Sequence, residues 1–311
     1  MSKTALIFPG QGSQYVGMAK DLLENFSYVS AVFEEASDSI GIDLKRLSTC
    51  GPDTELNKTA NTQPAILTAS IAAIKVLDEE TGIKGDILAG HSLGEYTALV
   101  HSGVIPFTKA VQIVRKRGEF MQDAVPEGHG AMAAILGMES DAVAELCSDA
   151  AEGEILSAAN FNSPGQIVIA GQRSAVERAA ELAKERGAKR AILLPVSVPS
   201  HCKLMESAAK SLRTEIEALN MGDFKIPVIS NVEASAYPST DAVADLLVRQ
   251  LSSPVKWDDS VRQLKKEGVS LAIEVGPGKV LSGLVKRIDR DIKILNIEDA
   301  ASLKKIEAEN L

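Results

Sequence analysis

The sequence predicts an α/β protein: a hydrolase-like, mostly parallel sheet core with a ferredoxin-like β-α-β-β-α-β subdomain inserted into it. Three observations carry this expectation. Apolar strand-like runs alternate with helical patterns up to about Gln122, the order expected of a parallel sheet covered by helices. Between Pro126 and Val196 the order changes to strand Ala131–Leu136, helix Asp141–Ala151, strands Ile155–Ala159 and Gln166–Ala170, helix Ser174–Arg186 and strand Arg190–Leu194. Asn162-Ser163-Pro164-Gly165 supplies a turn between the middle pair. The first pattern then resumes: helix Leu204–Leu219, strand Pro227–Ser230, helices Ala242–Gln250 and Trp257–Lys266, strand Leu271–Val275, helix Lys279–Ile288 and strand Ile292–Asn296. The expected division is therefore a discontinuous catalytic part, 1–125 with 197–311, and an inserted part, 126–196.

Composition narrows the class. A chain of 311 residues can bury a large core, and 33 basic against 42 acidic side chains leave it at −9. Such a field disfavours nucleic acid and anionic membranes as partners, although local basic pairs such as Lys189-Arg190 and Lys286-Arg287 can serve an acidic protein. No apolar run reaches the roughly 20 residues of a membrane span. Three cysteines, Cys50, Cys147 and Cys202, lack metal spacing, and no signal-like start is evident, so a reducing cytoplasm is expected.

Gly90-His91-Ser92-Leu93-Gly94 fits the Gly-x-Ser-x-Gly elbow, a sharp strand-to-helix turn that exposes a serine hydroxyl. Asp86–Ala89 supplies the strand end, and Glu95–Val100 the helix, closed by Gly103. Ser92 is the candidate nucleophile, and it needs a base. Of four histidines, His91 is expected to point away from its neighbour, His101 to end a helix and His129 to sit in an exposed turn. His201, in the loop after an apolar run, is the favoured base. The backbone amides of Leu93 and of Gln11, in the Pro9–Gln14 loop after strand Ala5–Phe8, are candidate oxyanion donors. That loop satisfies neither nucleotide-binding glycine pattern.

Helix Phe107–Asp123 carries an apolar stripe of Ala110, Val111, Val114, Gly118 and Met121, with Arg117 at its edge. An arginine there needs an anionic partner, either an internal carboxylate or a substrate. The periodicity leaves both open.

Pro9–Gln14, Gly90–Glu95, the Arg117 helix, Val198-Pro199-Ser200-His201 and Glu274-Val275-Gly276-Pro277-Gly278 together resemble the bacterial, free-standing malonyl-CoA:acyl carrier protein transacylases of fatty acid synthesis. The resemblance implies an acyltransferase working by ping-pong through a malonyl-Ser92 intermediate. It implies His201 as base, oriented by a main-chain carbonyl near Gln250, Gln11 and Leu93 as oxyanion donors, and Arg117 as the clamp for the malonyl carboxylate. Gln63, Asn160 and Asn162 are implied as further cleft residues. It implies no tightly bound cofactor or metal. Malonyl-CoA and the phosphopantetheine arm of acyl carrier protein are the implied substrates, and a monomer is expected. A thioesterase would share elbow and base but release the acyl group to water. A polyketide acyltransferase would share every motif, and Ser200 stands where many malonyl-selective relatives of that kind carry Phe. A non-catalytic carrier-protein-binding module would not need serine, base and arginine together.

Overall fold

In the computed structural model of the chain, residues 3–196 and 198–309 are described. The expected boundary at Ser197 lies outside them. Five strands build the first sheet: β1 (Lys3–Phe8), β2 (Ile87–Gly90), β7 (Val228–Ile229), β9 (Val269–Val275) and β10 (Lys293–Ile297). Their order is β10-β9-β1-β2-β7 and every neighbouring pair is parallel. Such a sheet is buried on both faces, so its strands read as continuous apolar runs. In β1 and β2 the alternation sends Leu6, Phe8 and Leu88 to one helical layer, and Ala5, Ile7, Ile87 and Ala89 to the other.

The second sheet contains β3 (Gly130–Leu136), β4 (Leu156–Ser163), β5 (Gln166–Gln172), β6 (Arg190–Leu193) and β8 (Val255–Lys256), in the order β6-β3-β5-β4-β8. Its first four strands are antiparallel, the arrangement that the β-α-β-β-α-β order predicts. Helices Ser140–Ala151 and Arg173–Glu185 cover one face over Ala133, Ile135, Ile167 and Ile169. The other face carries Met132 and Val168 toward the larger body.

Two expectations change here. The middle strands are longer than their apolar content suggests, and only Pro164 and Gly165 lie between them, with Gly165 at φ 68°. Asn162 and Ser163 are therefore strand residues: Ser163 pairs with Gln166 of β5, and Asn162 falls at a register shift in β4. Second, the sheet has a fifth strand from beyond residue 196: β8 pairs parallel with Asn160 and Phe161. A two-residue strand has no periodicity to read. The long helix Thr59–Thr81 between β1 and β2 packs along helix Phe107–Ala124, and a Cβ on Gly118 would overlap the backbone of Ala60. That glycine brings the two helices together where Arg117 points inward.

Candidate active site

The loops at the carboxyl ends of β1, β2 and β7 carry Gln11, Ser92 and Asn231, the position where open parallel sheets place their ligand sites. Ser92 closes a turn between β2 and helix Leu93–His101 and holds φ at 52°, a left-handed value that a residue with a side chain adopts only under restraint. The restraint is visible. A Cβ on Gly90 would overlap Gly94, and one on Gly94 would overlap the carbonyl of Phe8, so strand and helix meet without side chains between them. Asn231 clamps the turn from the next strand: its Oδ1 accepts from the Ser92 amide at 2.6 Å and its Nδ2 donates to the Gly90 carbonyl at 2.6 Å.

His201, also at positive φ, reaches the serine from the segment after β6. Its Nε2 lies 2.8 Å from Ser92 Oγ and its Nδ1 2.7 Å from the main-chain oxygen of Gln250. A carbonyl can only accept, so Nδ1 carries the proton and Nε2 is left to accept from the serine hydroxyl. Burial lowers the imidazole pKa to about 3, with the Arg117 charge acting the same way. The ring is neutral, the form a general base requires.

Arg117, 1% exposed, stands on the other side of Ser92. Its Nη2 donates to Ser92 Oγ at 3.1 Å and to Gln250 Oε1 at 3.0 Å, and its Nη1 donates to Gln63 Oε1 at 2.8 Å. The guanidinium also lies over the Tyr96 ring, 5.5 Å from its centroid. Among the described residues no carboxylate comes within ion-pair distance of it. Its neighbours in sequence are ordinary surface cations: Arg115 pairs with Glu119 and Lys116 with Glu215. Of the two readings left open by the helix periodicity, the internal ion pair is absent among these residues. A buried guanidinium beside a nucleophile, with no carboxylate in direct contact, is suited to receive an anionic group.

A cavity of about 220 Å³ opens in front of Ser92. Gln11, Ser92, Arg117, Asn160, Asn162 and His201 all line it, while Met132, Val168, Leu194, Val196 and Leu284 give it an apolar side. Asn160 and Asn162 are two apart on β4 and so share a face, and Asn162 Oδ1 lies 2.8 Å from His91 Nε2. Three expected residues are not on the wall. Gln63 and Gln250 are fully buried behind the guanidinium, and Leu93 lies beneath the serine. Leu93 opens a helix, where the backbone N–H has no intrahelical acceptor. His101 ends its helix and His129 is exposed in a turn. No cluster of three or more His, Cys, Asp or Glu able to hold a metal occurs among the described residues.

Sequence reasoning gave no role to Asn231, Tyr237 or Glu95. Glu95 sits one helical turn past Ser92, fully buried, and burial raises its carboxyl pKa to about 7. It accepts from the Tyr237 hydroxyl, from Gln250 Nε2 at 2.7 Å and from the Asn231 amide at 3.1 Å. The usable signals were a carboxylate within an otherwise apolar helix, and an asparagine just after a short apolar strand.

The comparisons agree with this geometry. Residues 5–308 match the acyl transferase domain family. The malonyl CoA-acyl carrier protein transacylase of Haemophilus influenzae is 50% identical over 99% of this chain and 99% of that protein. The crystal structure of an acyl carrier protein S-malonyltransferase from Vibrio cholerae superposes with a TM-score of 0.95 at 52% identity, covering 98% of this chain and 100% of that one. A malonyl-transacylase solved in complex with a type II polyketide synthase acyl-carrier protein superposes at 0.97 with 48% identity, covering 99% and 100%. Identity of this order along almost the whole length, together with a serine, a base and an unpaired arginine around one cavity, leaves one assignment: the chain belongs to the acyl transferase domain family, among its malonyl CoA-acyl carrier protein transacylases.

Proposed function

We propose that the protein transfers malonyl from malonyl-CoA to the phosphopantetheine thiol of acyl carrier protein through a malonyl-Ser92 intermediate, as the entry step of type II fatty acid synthesis. The observation that carries the reading is Arg117, buried, in contact with no carboxylate among the described residues, and 3.1 Å from Ser92 Oγ. An acyl group ending in a carboxylate satisfies it, and acetyl does not.

The chemistry follows from the hydrogen bonds. Neutral His201 takes the Ser92 proton as Oγ attacks the thioester carbonyl. The amides of Leu93 and Gln11 are suited to receive the negative charge that then develops on the carbonyl oxygen. Collapse expels the CoA thiolate, to which the imidazolium returns the proton, leaving malonyl on Ser92. The carrier thiol then enters the vacated space, gives its proton to His201, attacks the ester and leaves as the malonyl thioester while Ser92 recovers the proton. The Gln250 carbonyl keeps His201 in the required tautomer throughout.

The remaining assignments are of the same kind. Residues 126–196 form the inserted part that walls the cleft, Asn160 and Asn162 face the acyl chain or pantetheine arm, and Lys189 with Arg190 offers charge to an acidic carrier. The protein works as a monomer in a reducing cytoplasm, consistent with three free cysteines and with no helix among the described residues long and apolar enough to cross a membrane.

Intact-mass measurement after exposure to malonyl-CoA or acetyl-CoA tests the proposal. Wild type gains a malonyl adduct that holo carrier protein discharges, acetyl is taken poorly, and Ser92→Ala gains nothing. An adduct lost to water at the same rate without acceptor identifies a hydrolase instead.

A further inference from the structure

We propose that Glu95 is a positioning residue for acyl selection: its carboxylate fixes the orientation of the Gln250 amide so that the amide oxygen faces Arg117. The inference rests on the malonyl-transfer reading and extends it to a residue outside the cavity wall.

The side-chain amide of Gln250 has an oxygen end and a nitrogen end of nearly the same shape, and hydrogen bonding alone decides which way it points. Its oxygen accepts from Arg117 Nη2 at 3.0 Å. Its nitrogen donates to Glu95 Oε2 at 2.7 Å and to the Ser92 carbonyl at 3.1 Å. A carboxylate only accepts, so Glu95 requires the nitrogen end. Turned over, Gln250 would set its N–H groups against the guanidinium and its oxygen against two acceptors. Arg117 would then rest on Gln63 and the serine hydroxyl alone. Glu95 is held in turn by Tyr237 and by the Asn231 amide, and Asn231 is the residue that clamps the serine turn. One carboxylate thus sets both the selecting arginine and the support of the nucleophile.

What matters in this arrangement is an acceptor at the Oε2 position, with charge secondary. Glu95→Gln retains it: the new amide oxygen faces the Gln250 and Asn231 donors, and the new nitrogen faces the Tyr237 oxygen, which can accept. Glu95→Asp keeps the charge but is one methylene shorter, withdrawing the acceptor from Gln250. The malonyl-over-acetyl ratio of kcat/KM for Ser92 acylation is the readout. The expected result is a ratio within about threefold of wild type for Glu95→Gln, and at least about tenfold lower for Glu95→Asp, with the loss in KM for malonyl-CoA. Tyr237→Phe, which leaves the carboxylate but loosens it, should lower the ratio less than Glu95→Asp does. If Glu95→Asp fails to fold, a Tyr237→Phe ratio equal to wild type overturns the inference. An unchanged ratio in a folded Glu95→Asp, equal losses for both acyl groups, or a larger loss in Glu95→Gln than in Glu95→Asp also overturns it. A wild-type protein that takes no malonyl strikes the malonyl-transfer reading itself, and is seen before any variant is made.

Discussion

Replacing Arg117 with Ala removes a guanidinium whose three hydrogen bonds all go to neutral oxygens, those of Gln63, Ser92 and Gln250. Two consequences separate cleanly. The first is common to every acyl group: two buried amide oxygens lose their donor and a cavity forms behind the serine, so absolute rates fall for malonyl and acetyl alike. The second belongs to malonyl alone, because only its carboxylate loses a counter-charge in a partly desolvated pocket. Truncating one member of a buried charge pair costs about 2 to 5 kcal/mol. The carboxylate end lies in a cavity that opens to solvent, which places the expected loss at the lower end, about 2 to 3 kcal/mol, or roughly 30- to 150-fold. The assay is stopped-flow or quenched acylation of Ser92 by malonyl-CoA and acetyl-CoA at equal ionic strength. The ratio of the two kcat/KM values should drop by that factor, whatever happens to either rate alone. A ratio that stays within threefold of wild type would refute the assignment of Arg117 as the carboxylate clamp.

Four further outcomes follow from the site and its surroundings. His201, with its pKa lowered to about 3 by burial, should remain neutral on ring-nitrogen NMR down to pH 5, and a titration near its ordinary 6.5 would contradict the buried geometry. The sign for stability is also fixed: His201 contributes stability that is present above 6.5 and lost as pH falls toward 3, whereas Glu95, raised to about 7, contributes stability that is present below 4.5 and lost as pH rises through 7. Their slopes oppose between 4.5 and 6.5, and urea midpoints of wild type and Glu95→Gln should diverge as pH rises from 4.5 to 7. Asn231→Ala removes the side chain that bonds both the Ser92 amide and the Gly90 carbonyl, for which the expected cost is about 2 kcal/mol by chemical denaturation together with slower acylation; an active variant of unchanged stability would remove Asn231 from the turn's support. Charge reversal at Lys189 and Arg190 should raise the apparent KM for carrier protein and flatten its salt dependence while leaving acylation by malonyl-CoA alone, and an unaltered salt dependence would place the docking surface elsewhere.

Much of this site could be read from the sequence because its parts announce themselves locally. The elbow is a five-residue steric pattern, and the glycines that make it legible are the ones whose Cβ atoms have no room. The parallel sheet was legible because doubly buried strands are apolar throughout. Arg117 was legible as a position but not as a role, because periodicity gives a face and says nothing of what the face meets. The strand placement of Asn160 and Asn162 was hidden by composition: polar residues near Pro-Gly read as turn formers, yet the two-residue turn lets the strands run past them. β8 was hidden by brevity. The network of Glu95, Asn231, Tyr237 and Gln250 spans more than 150 positions of sequence, and no local rule joins a helix carboxylate to an amide that far away.

A base oriented by a main-chain oxygen has a consequence for the lifetime of the acyl-enzyme. Among the described residues no carboxylate stands behind His201 to stabilise its protonated form; the Gln250 carbonyl offers a dipole, and the nearby guanidinium opposes a second positive charge. Such an imidazole is a weak base: it can take the Ser92 proton because Nε2 holds that hydroxyl while Arg117 donates to its oxygen, and it is poorly matched to water, itself a very weak acid. A thiol, with a pKa of about 8.5, yields its proton far more readily and brings a stronger nucleophile. An ester on Ser92 is therefore expected to react with sulfur in preference to water, and the weakness of its own base is what would protect it from hydrolysis.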